Sequence, residues 1–273
     1  MRINELARAK INLCLHVTGQ RDDGYHLLDS LVVFADTGDD ISIKASVGFS
    51  LEIDGPFAEG LSAGYDNLVL KAAKLFEPHC EGAAITLTKN LPVASGIGGG
   101  SADAAATLRA MAKMTGAELP KDAGLSLGAD VPVCLAEQSC RMQGIGDQIT
   151  PIQNVPQMAA VLVRPNIAVS TPVIFKAISN KNNTGIMDYD HTDIIKYLKK
   201  QRNDLELPAR AFAPEIGMCL QALKDLGALL ARMSGSGATC FGIFETKKDA
   251  TDASNKLAKA HPDWWVKACC LGD

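Results

Sequence analysis

Three observations in the sequence predict a protein of mixed helix and strand, in the α+β or α/β class. Short runs alternate apolar with polar residues, which is the pattern of half-buried strands. Longer stretches with an apolar stripe at helical spacing are interleaved with those runs. Between one such strand and one such helix lies a glycine-rich loop, within Thr86–Met111. The 273 residues suffice for one large domain or two modest ones. Thr150–Pro156, with prolines at both 151 and 156, is the candidate boundary between two halves.

The elements follow in order. Ile11, Leu13, Leu15 and Val17 alternate with Lys10, Asn12, Cys14 and His16, so the spacing predicts a strand with one buried face. Lys10 and Asn12 share the other face. A turn is expected at Asp22–Gly24, then strands at Ile41–Lys44 and Leu51–Asp54. Asp66 or Asn67 can cap a helix whose stripe is Leu68, Ala72, Leu75 and Phe76. Ile85 and Leu87 belong to a strand that ends near Lys89. After the glycine loop comes a helix with Ala104, Leu108 and Met111 on one side and Gly116 as its stop. The second half is predicted to open with a strand at Met158–Val163. Thr171 reads as a helix cap with Pro172 in the first helical position. Asn180–His191 reads as a polar loop. Pro214–Leu230 reads as an amphipathic helix, followed by strands near Leu229–Met233 and Thr239–Phe244 around Ser234–Gly237. A last helix and a strand at Trp264–Cys269 close the chain.

Composition removes several function classes. The formal net charge of -4 gives no electrostatic reason to bind nucleic acid or a membrane surface. Met1–Lys10 lacks an apolar leader, and the richest apolar stretch, Met158–Val163, is too short to span a bilayer. None of the eight cysteines forms a C-x-x-C, and the five histidines show no H-E-x-x-H. Zinc and redox motifs are therefore not expected. The thiols read as reduced, in a cytoplasmic protein.

The loop Leu91-Pro92-Val93-Ala94-Ser95-Gly96-Ile97-Gly98-Gly99-Gly100-Ser101 carries the strongest chemical signal. Polyphosphate needs many donors at close range. Glycines let backbone N–H groups approach it, and the positive end of the next helix adds to the attraction. The competing reading is a tight structural turn with Ser101 as helix cap. Three consecutive glycines are entropically costly for a bare turn, which favours anion binding. The loop has no G-K-[ST], so it is not a Walker A loop. No acidic strand end follows at the dinucleotide-fold spacing. Lys10 taken alone is as well read as a solvated strand lysine, and Asp130 as a turn or helix-cap aspartate beside Gly128 and Pro132.

The pattern Leu91-Pro-x-Ala-x-Gly-Ile-Gly-Gly-Gly-Ser101 resembles the phosphate loop of the GHMP kinases. Four further segments, Ala9–Leu13, Gly19–His26, Gly128–Val133 and Thr171–Phe175, resemble motifs of the 4-diphosphocytidyl-2-C-methyl-D-erythritol kinase family within that superfamily. Ser234-Gly-Ser-Gly-Ala238 resembles the superfamily's C-terminal glycine motif. The segments occur in the family's order and span most of the chain.

The resemblance implies an α+β, two-domain GHMP kinase fold with the active site between the domains. Residues 1–153 would form the N-terminal domain and 154–273 the C-terminal one. It implies ATP-dependent phosphorylation of an alcohol carried by a small cytidine diphosphate compound, with Mg2+ as the accompanying ion. Lys10 and Asp130 would be catalytic. Asn67, Lys89, the loop Pro92–Ser101, Ala102 and Asp103 would bind ATP. Asn12, Tyr25, His26, Thr171, Phe175, Gly235, Ser236 and Gly237 would bind the cytidyl substrate, with Tyr25 and Phe175 sandwiching the base. No residue pattern names metal ligands or an oligomeric state. Ile97, Asp103 and Val32 depart from residues common in relatives. The Asp103 carboxylate should point away from the γ-phosphate. Two other readings stay open: a GHMP kinase for a different alcohol, and a phosphate-binding module without catalysis.

Overall fold

Strand β1 (Arg2–Gln20) comes first, and its polar face between Lys10 and His16 is not solvated. In the computed structural model, which describes residues 2–189 and 193–272, every residue from Ala9 to Val17 is buried. The alternation predicts one buried face. The other face is enclosed too, because Lys10, Asn12 and His16 each have polar partners that offset the cost of burial. Strand β2 (His26–Ala45) is longer than the predicted Ile41–Lys44. Residues 29–35 are buried without interruption, so no alternation marked them.

The described residues fall into two compact units that interleave along the chain. One takes the residues up to Lys10, Thr37–Val93 and Gly98–Glu137. The other takes Ile11–Asp36, Ala94–Ile97 and the chain from Gln138 onward, so the proline-bearing segment 150–156 lies inside it.

In the first unit, β3 (Gly48–Asp54) runs parallel to β4 (Gly82–Thr88), in register from Gly48 with Gly82 to Asp54 with Thr88. The end of β2 pairs antiparallel with β4, from Asp40 with Thr88 to Ala45 with Ala83. Helices α1 (Leu68–Lys74) and α3 (Val131–Ala136) both pack on α2 (Gly99–Thr115). Helix α2 ends at Gly116 in a left-handed cap, as predicted. Its first residue is Gly99 and its cap is Gly98, so Ser101 lies inside the first turn and is not the cap. Helix α1 is capped by Asn67, but its buried side is Val69, Leu70, Ala72 and Ala73, while Leu75 is 43% exposed.

In the second unit, β5 (Cys140–Gly144) and β6 (Gln148–Pro151) form a hairpin whose first strand pairs with the front of β2, from Leu28 with Gly144 to Val32 with Cys140. The main sheet has the order β2-β10-β7-β9-β8, with β7 at Met158–Arg164, β8 at Leu230–Met233, β9 at Cys240–Phe244 and β10 at Trp265–Leu271. All these pairings are antiparallel. Three short helices, α4 (Thr171–Lys176), α5 (Ile194–Lys199) and α6 (Glu206–Phe212), lie in sequence between β7 and β8, and the last two are absent from the sequence reading. Helices α7 (Glu215–Asp225) and α8 (Lys247–Ala260) pack on the sheet over Val161, Val163, Leu220, Leu223 and Leu257. Helix α7 ends five residues before the predicted Leu230, because Gly227 takes a positive φ of 92° and β8 begins at once. Ser170, not Thr171, caps α4, which moves Pro172 to the second helical position. Residues 180–189 contain neither helix nor strand, and the remainder of the predicted polar loop, Asp190 and His191, lies outside the described residues.

Leu108 of α2 is fully buried. Leu108→Ala should cost roughly 2–5 kcal/mol of stability, and Leu75→Ala under about 0.5 kcal/mol. Thermal unfolding of the two variants measures the contrast; equal losses would contradict the packing face assigned to α1.

Candidate active site

Lys10 ends the first unit's share of β1 and is 4% exposed. Its Nζ lies 3.1 Å from Asp130 Oδ2. Asp130 occupies the cap position of α3, yet its side chain makes no capping hydrogen bond. The carboxylate turns instead to the lysine, and 39% of its side chain stays open to solvent. Neither residue plays the ordinary role that its local sequence allows. The stem of Lys10 passes beneath Gly98, where an added Cβ would stand 3.2 Å from Lys10 Cε. Cys134 lies close to the same point, but burial first and then Asp130 hold its thiol far above the ordinary range, so it is no nucleophile.

The glycine loop alternates its backbone. Ala94, Gly96 and Gly98 have positive φ, at 49°, 75° and 67°, while Ser95 and Ile97 between them do not. Alternation of this kind points successive N–H groups into one concavity, the geometry of an anion nest. Pro92 and Val93 lead into it, and Gly99, Gly100, Ser101, Ala102 and Asp103 form the opening of α2. Ile97 is fully buried, so its departure from the usual residue is a packing matter.

Within the second unit, the loop's middle locks against the C-terminal glycine motif. A Cβ on Gly96 would fall 2.6 Å from the Gly237 carbonyl oxygen, and one on Gly235 would fall 2.7 Å from that of Gly96. The Ser234 hydroxyl donates to the Gly96 carbonyl at 3.2 Å and accepts the Asn12 N–H at 3.1 Å. Thr239 N–H donates to the Ser95 carbonyl at 3.1 Å. Asn203, which the sequence does not flag, donates to the carbonyls of Met233 and Gly235. Ser236 Oγ lies 2.7 Å from Thr171 Oγ1. The Asn12 amide donates to Ser30 Oγ at 2.8 Å.

The residues expected on the adenosine side, Asn67 and Lys89, are held by protein neighbours. Asn67 Oδ1 accepts the Val69 N–H, and its amide donates to the Ser62 carbonyl at 2.7 Å. Lys89 is buried, with its ammonium on Asp39 and on Asp103, the latter at 2.7 Å. Burial alone would lower the Lys89 pKa, and the two carboxylates outweigh it and raise it. Asp103 is buried as well. Asp39 has no local sequence signal, being one of four aspartates inside β2.

Of the expected base sandwich, Phe175 and His26 meet with ring centroids 4.8 Å apart, tilted by 32°. Tyr25 is 59% exposed and makes no such contact here. Burial first, then Lys181, lowers the His26 pKa. Val32 is fully buried in β2. His16 is buried with Nδ1 3.0 Å from the Thr184 carbonyl, and Nε2 accepts the Arg202 N–H. A neutral ring protonated on Nδ1 satisfies both. Burial first, then nearby Arg202, lowers its pKa. Arg141 and Asp29 fasten the neighbouring segment, since Asp29 accepts both Arg141 and the Ile186 N–H.

Two interlocked glycine loops and a lysine–aspartate pair on a mixed fold define a GHMP kinase. The GHMP kinases N terminal domain matches residues 67–152, and the GHMP kinases C terminal domain matches 186–263. A 4-diphosphocytidyl-2-C-methyl-D-erythritol kinase of Ruegeria pomeroyi is 57% identical over 97% of this chain and 98% of its own length. Another of that name from Dinoroseobacter shibae is 52% identical over 97% of this chain and 93% of its own. A crystal structure of 4-(cytidine 5'-diphospho)-2C-methyl-D-erythritol kinase superposes with a TM-score of 0.84 at 32% identity, covering 99% of this chain and all of that one. The chain belongs to the 4-diphosphocytidyl-2-C-methyl-D-erythritol kinase family.

Gly98→Val should weaken ATP binding at least tenfold, since its φ is positive and its side chain would press on Lys10. Titration calorimetry on the folded variant measures this, and an unchanged affinity would remove the loop from the phosphate site. A second expectation concerns pH. The folded state favours neutral His16, so the stability it contributes is present above pH 6.5 and is lost as pH falls through the lowered folded pKa. The fall in Tm between pH 7.5 and 5.5 should be smaller in His16→Asn than in the wild type.

Proposed function

We propose that this chain transfers the γ-phosphoryl group of ATP to the 2-hydroxyl of 4-diphosphocytidyl-2-C-methyl-D-erythritol, a step of the non-mevalonate isoprenoid precursor pathway. The observation that carries the reading is the Lys10–Asp130 pair under Gly98, with a carboxylate that makes no capping bond and is partly open to solvent. Asp130 accepts the proton of the alcohol as its oxygen bonds to the γ-phosphorus. The bond from that phosphorus to the β-phosphate bridging oxygen breaks, and ADP leaves. Lys10 holds the carboxylate in place and stabilises charge on the reacting oxygen. The alternating loop Ala94–Gly98 and the start of α2 supply backbone donors to the phosphates. The Gly235–Gly237 loop and Asn12 serve the substrate diphosphate. Phe175 and His26 offer a face to the cytosine, and exposed Tyr25 closes on it from the other side.

Mg2+ would neutralise charge on the β- and γ-phosphates. Among the described residues no group of three His, Cys, Asp or Glu side chains forms a cage. That suits an ion that arrives on the nucleotide and keeps several of its waters. Division into residues 1–153 and 154–273 is supported by the two family models, which fall on either side of it. No helix among the described residues is long and apolar enough to cross a membrane. None of the eight cysteines is in a disulfide, which fits a reducing, cytoplasmic setting.

A coupled ADP-release assay with the cytidyl substrate, mevalonate and homoserine tests the substrate. Turnover is expected with the first alone, and CDP should compete. Preference for either other alcohol would replace the assignment. Asp130→Asn should lower turnover roughly a hundredfold or more while ATP binding survives. Lys10→Met should also lower it, and the double variant should be little worse than the poorer single one. Near-normal turnover in Asp130→Asn would leave Asp130 as a positioning residue.

A further inference from the structure

The Lys89–Asp39–Asp103 cluster is buried, charged and outside the chemistry described above. All three side chains are 5% exposed or less. Asp39 Oδ1 accepts the N–H groups of Asn90 and Leu91, at 2.6 and 2.7 Å, while Oδ2 accepts from Lys89. Lys89, Asn90 and Leu91 are the residues that lead into the glycine loop. Asp103, which takes the other side of the ammonium, lies on α2 just after the loop. The lysine Nζ sits against the first residue of that helix, 3.2 Å from where a Cβ on Gly99 would be.

Stability does not explain such a cluster. Charges buried this deeply are costly to desolvate, and apolar residues of equal volume often serve a core as well or better. What distinguishes these three is their position along the chain. One carboxylate holds the entering stem of the loop, the other belongs to the leaving stem, and the ammonium joins them.

Resting on the kinase reading above, we propose that Asp39 and Lys89 are positioning residues for ATP: with Asp103 they form a clamp that fixes both stems of the phosphate loop. Lys89 acts through the backbone of the loop and not by touching the nucleotide. The bare glycines between the stems then hold their concave shape before ATP arrives, so less order has to be gained on binding. Two carboxylates near a phosphate site would repel the ligand if both kept full charge. Lys89 offsets one. Burial first, and Asp39 beside it, push the Asp103 carboxyl above the ordinary carboxylate range despite Lys89, which keeps the clamp close to neutral.

The test compares wild type, Asp39→Asn, Lys89→Gln and the double variant. ATP affinity is measured by titration calorimetry without the alcohol, together with KM for each substrate and Tm. An asparagine has one acceptor oxygen and cannot serve both the stem N–H groups and the lysine. Each single variant should bind ATP about tenfold or more weakly, with KM for the alcohol within about twofold of wild type. The double variant should be no worse than the poorer single one, because both break one clamp. ATP affinities within twofold of wild type, alongside a lowered Tm, would make the cluster structural only and overturn the proposal. So would a loss in Lys89→Gln with none in Asp39→Asn, the signature of a direct lysine–nucleotide contact. Should Asp39→Asn fail to fold, Lys89→Gln and Asp103→Leu give the same comparison, and ATP affinities within twofold of wild type in both would overturn it. The calorimetric result needs no alcohol. It decides the clamp separately from the substrate, whose failure would appear as absent turnover in wild type.

Discussion

A backbone that meets polyphosphate has to be bare, and bare backbone does not keep its own shape. Glycine gives up more conformational freedom on ordering than any other residue, so the form of the loop from Leu91 to Ser101 must be imposed by its surroundings. The structure does this through contacts that act on main chain. Asp39 takes the N–H groups at the entrance. Ser234 and Thr239 take hold of the Gly96 and Ser95 carbonyls in the middle. Gly235 and Gly96 pack so closely that neither has room for a side chain. The second glycine motif is thus a structural partner of the first.

The polar face of β1 answers a related demand. A lysine, an asparagine and a histidine at alternate positions would ordinarily face water. Here each is enclosed, and each has a partner brought from far along the chain: Asp130 for Lys10, Ser30 for Asn12, and the Thr184 carbonyl for His16. Enclosure limits the rotamers of these side chains and raises the strength of their electrostatic contacts. A group that must meet a reacting oxygen to within a fraction of an ångström gains from both effects.

Much of this was legible in the sequence where the pattern was local. The strand, glycine loop and helix from Gly82 to Gly116 were read with nearly their observed ends, because periodicity, glycine φ preference and capping all act over a few residues. Reading failed where tertiary contacts decide. The buried polar face of β1 looked solvated, since its partners lie 18 to 168 residues away. Asp39 was invisible because a carboxylate inside a strand has no local signature, and Asn203 for the same reason. Lys89 and Asp103 lie 14 residues apart in the sequence, at a strand end and on a helix, and meet only through the tertiary fold. Residues 29–35 of β2 escaped as a strand because burial on both sides erases alternation. Helix α7 was drawn too long since Leu230, at helical spacing from Leu223, belongs to the next strand. The motif segments imply Tyr25 and Phe175 on either side of a base; the contact of His26 with Phe175 has no local signature.

The interleaving of the two units has a consequence for how the chain is made. The first unit's last residue is Glu137, so all its parts are translated before Gln138. The second unit owns Ile11–Asp36, yet its strands β5 to β10 come only after Gln138. Residues 11–17, which end among the most deeply buried in the protein, therefore wait through the synthesis of more than a hundred others. The order of translation and the order of burial run opposite ways for this segment. The nascent chain accordingly carries an apolar stretch in need of cover, the kind of surface that chaperones recognise.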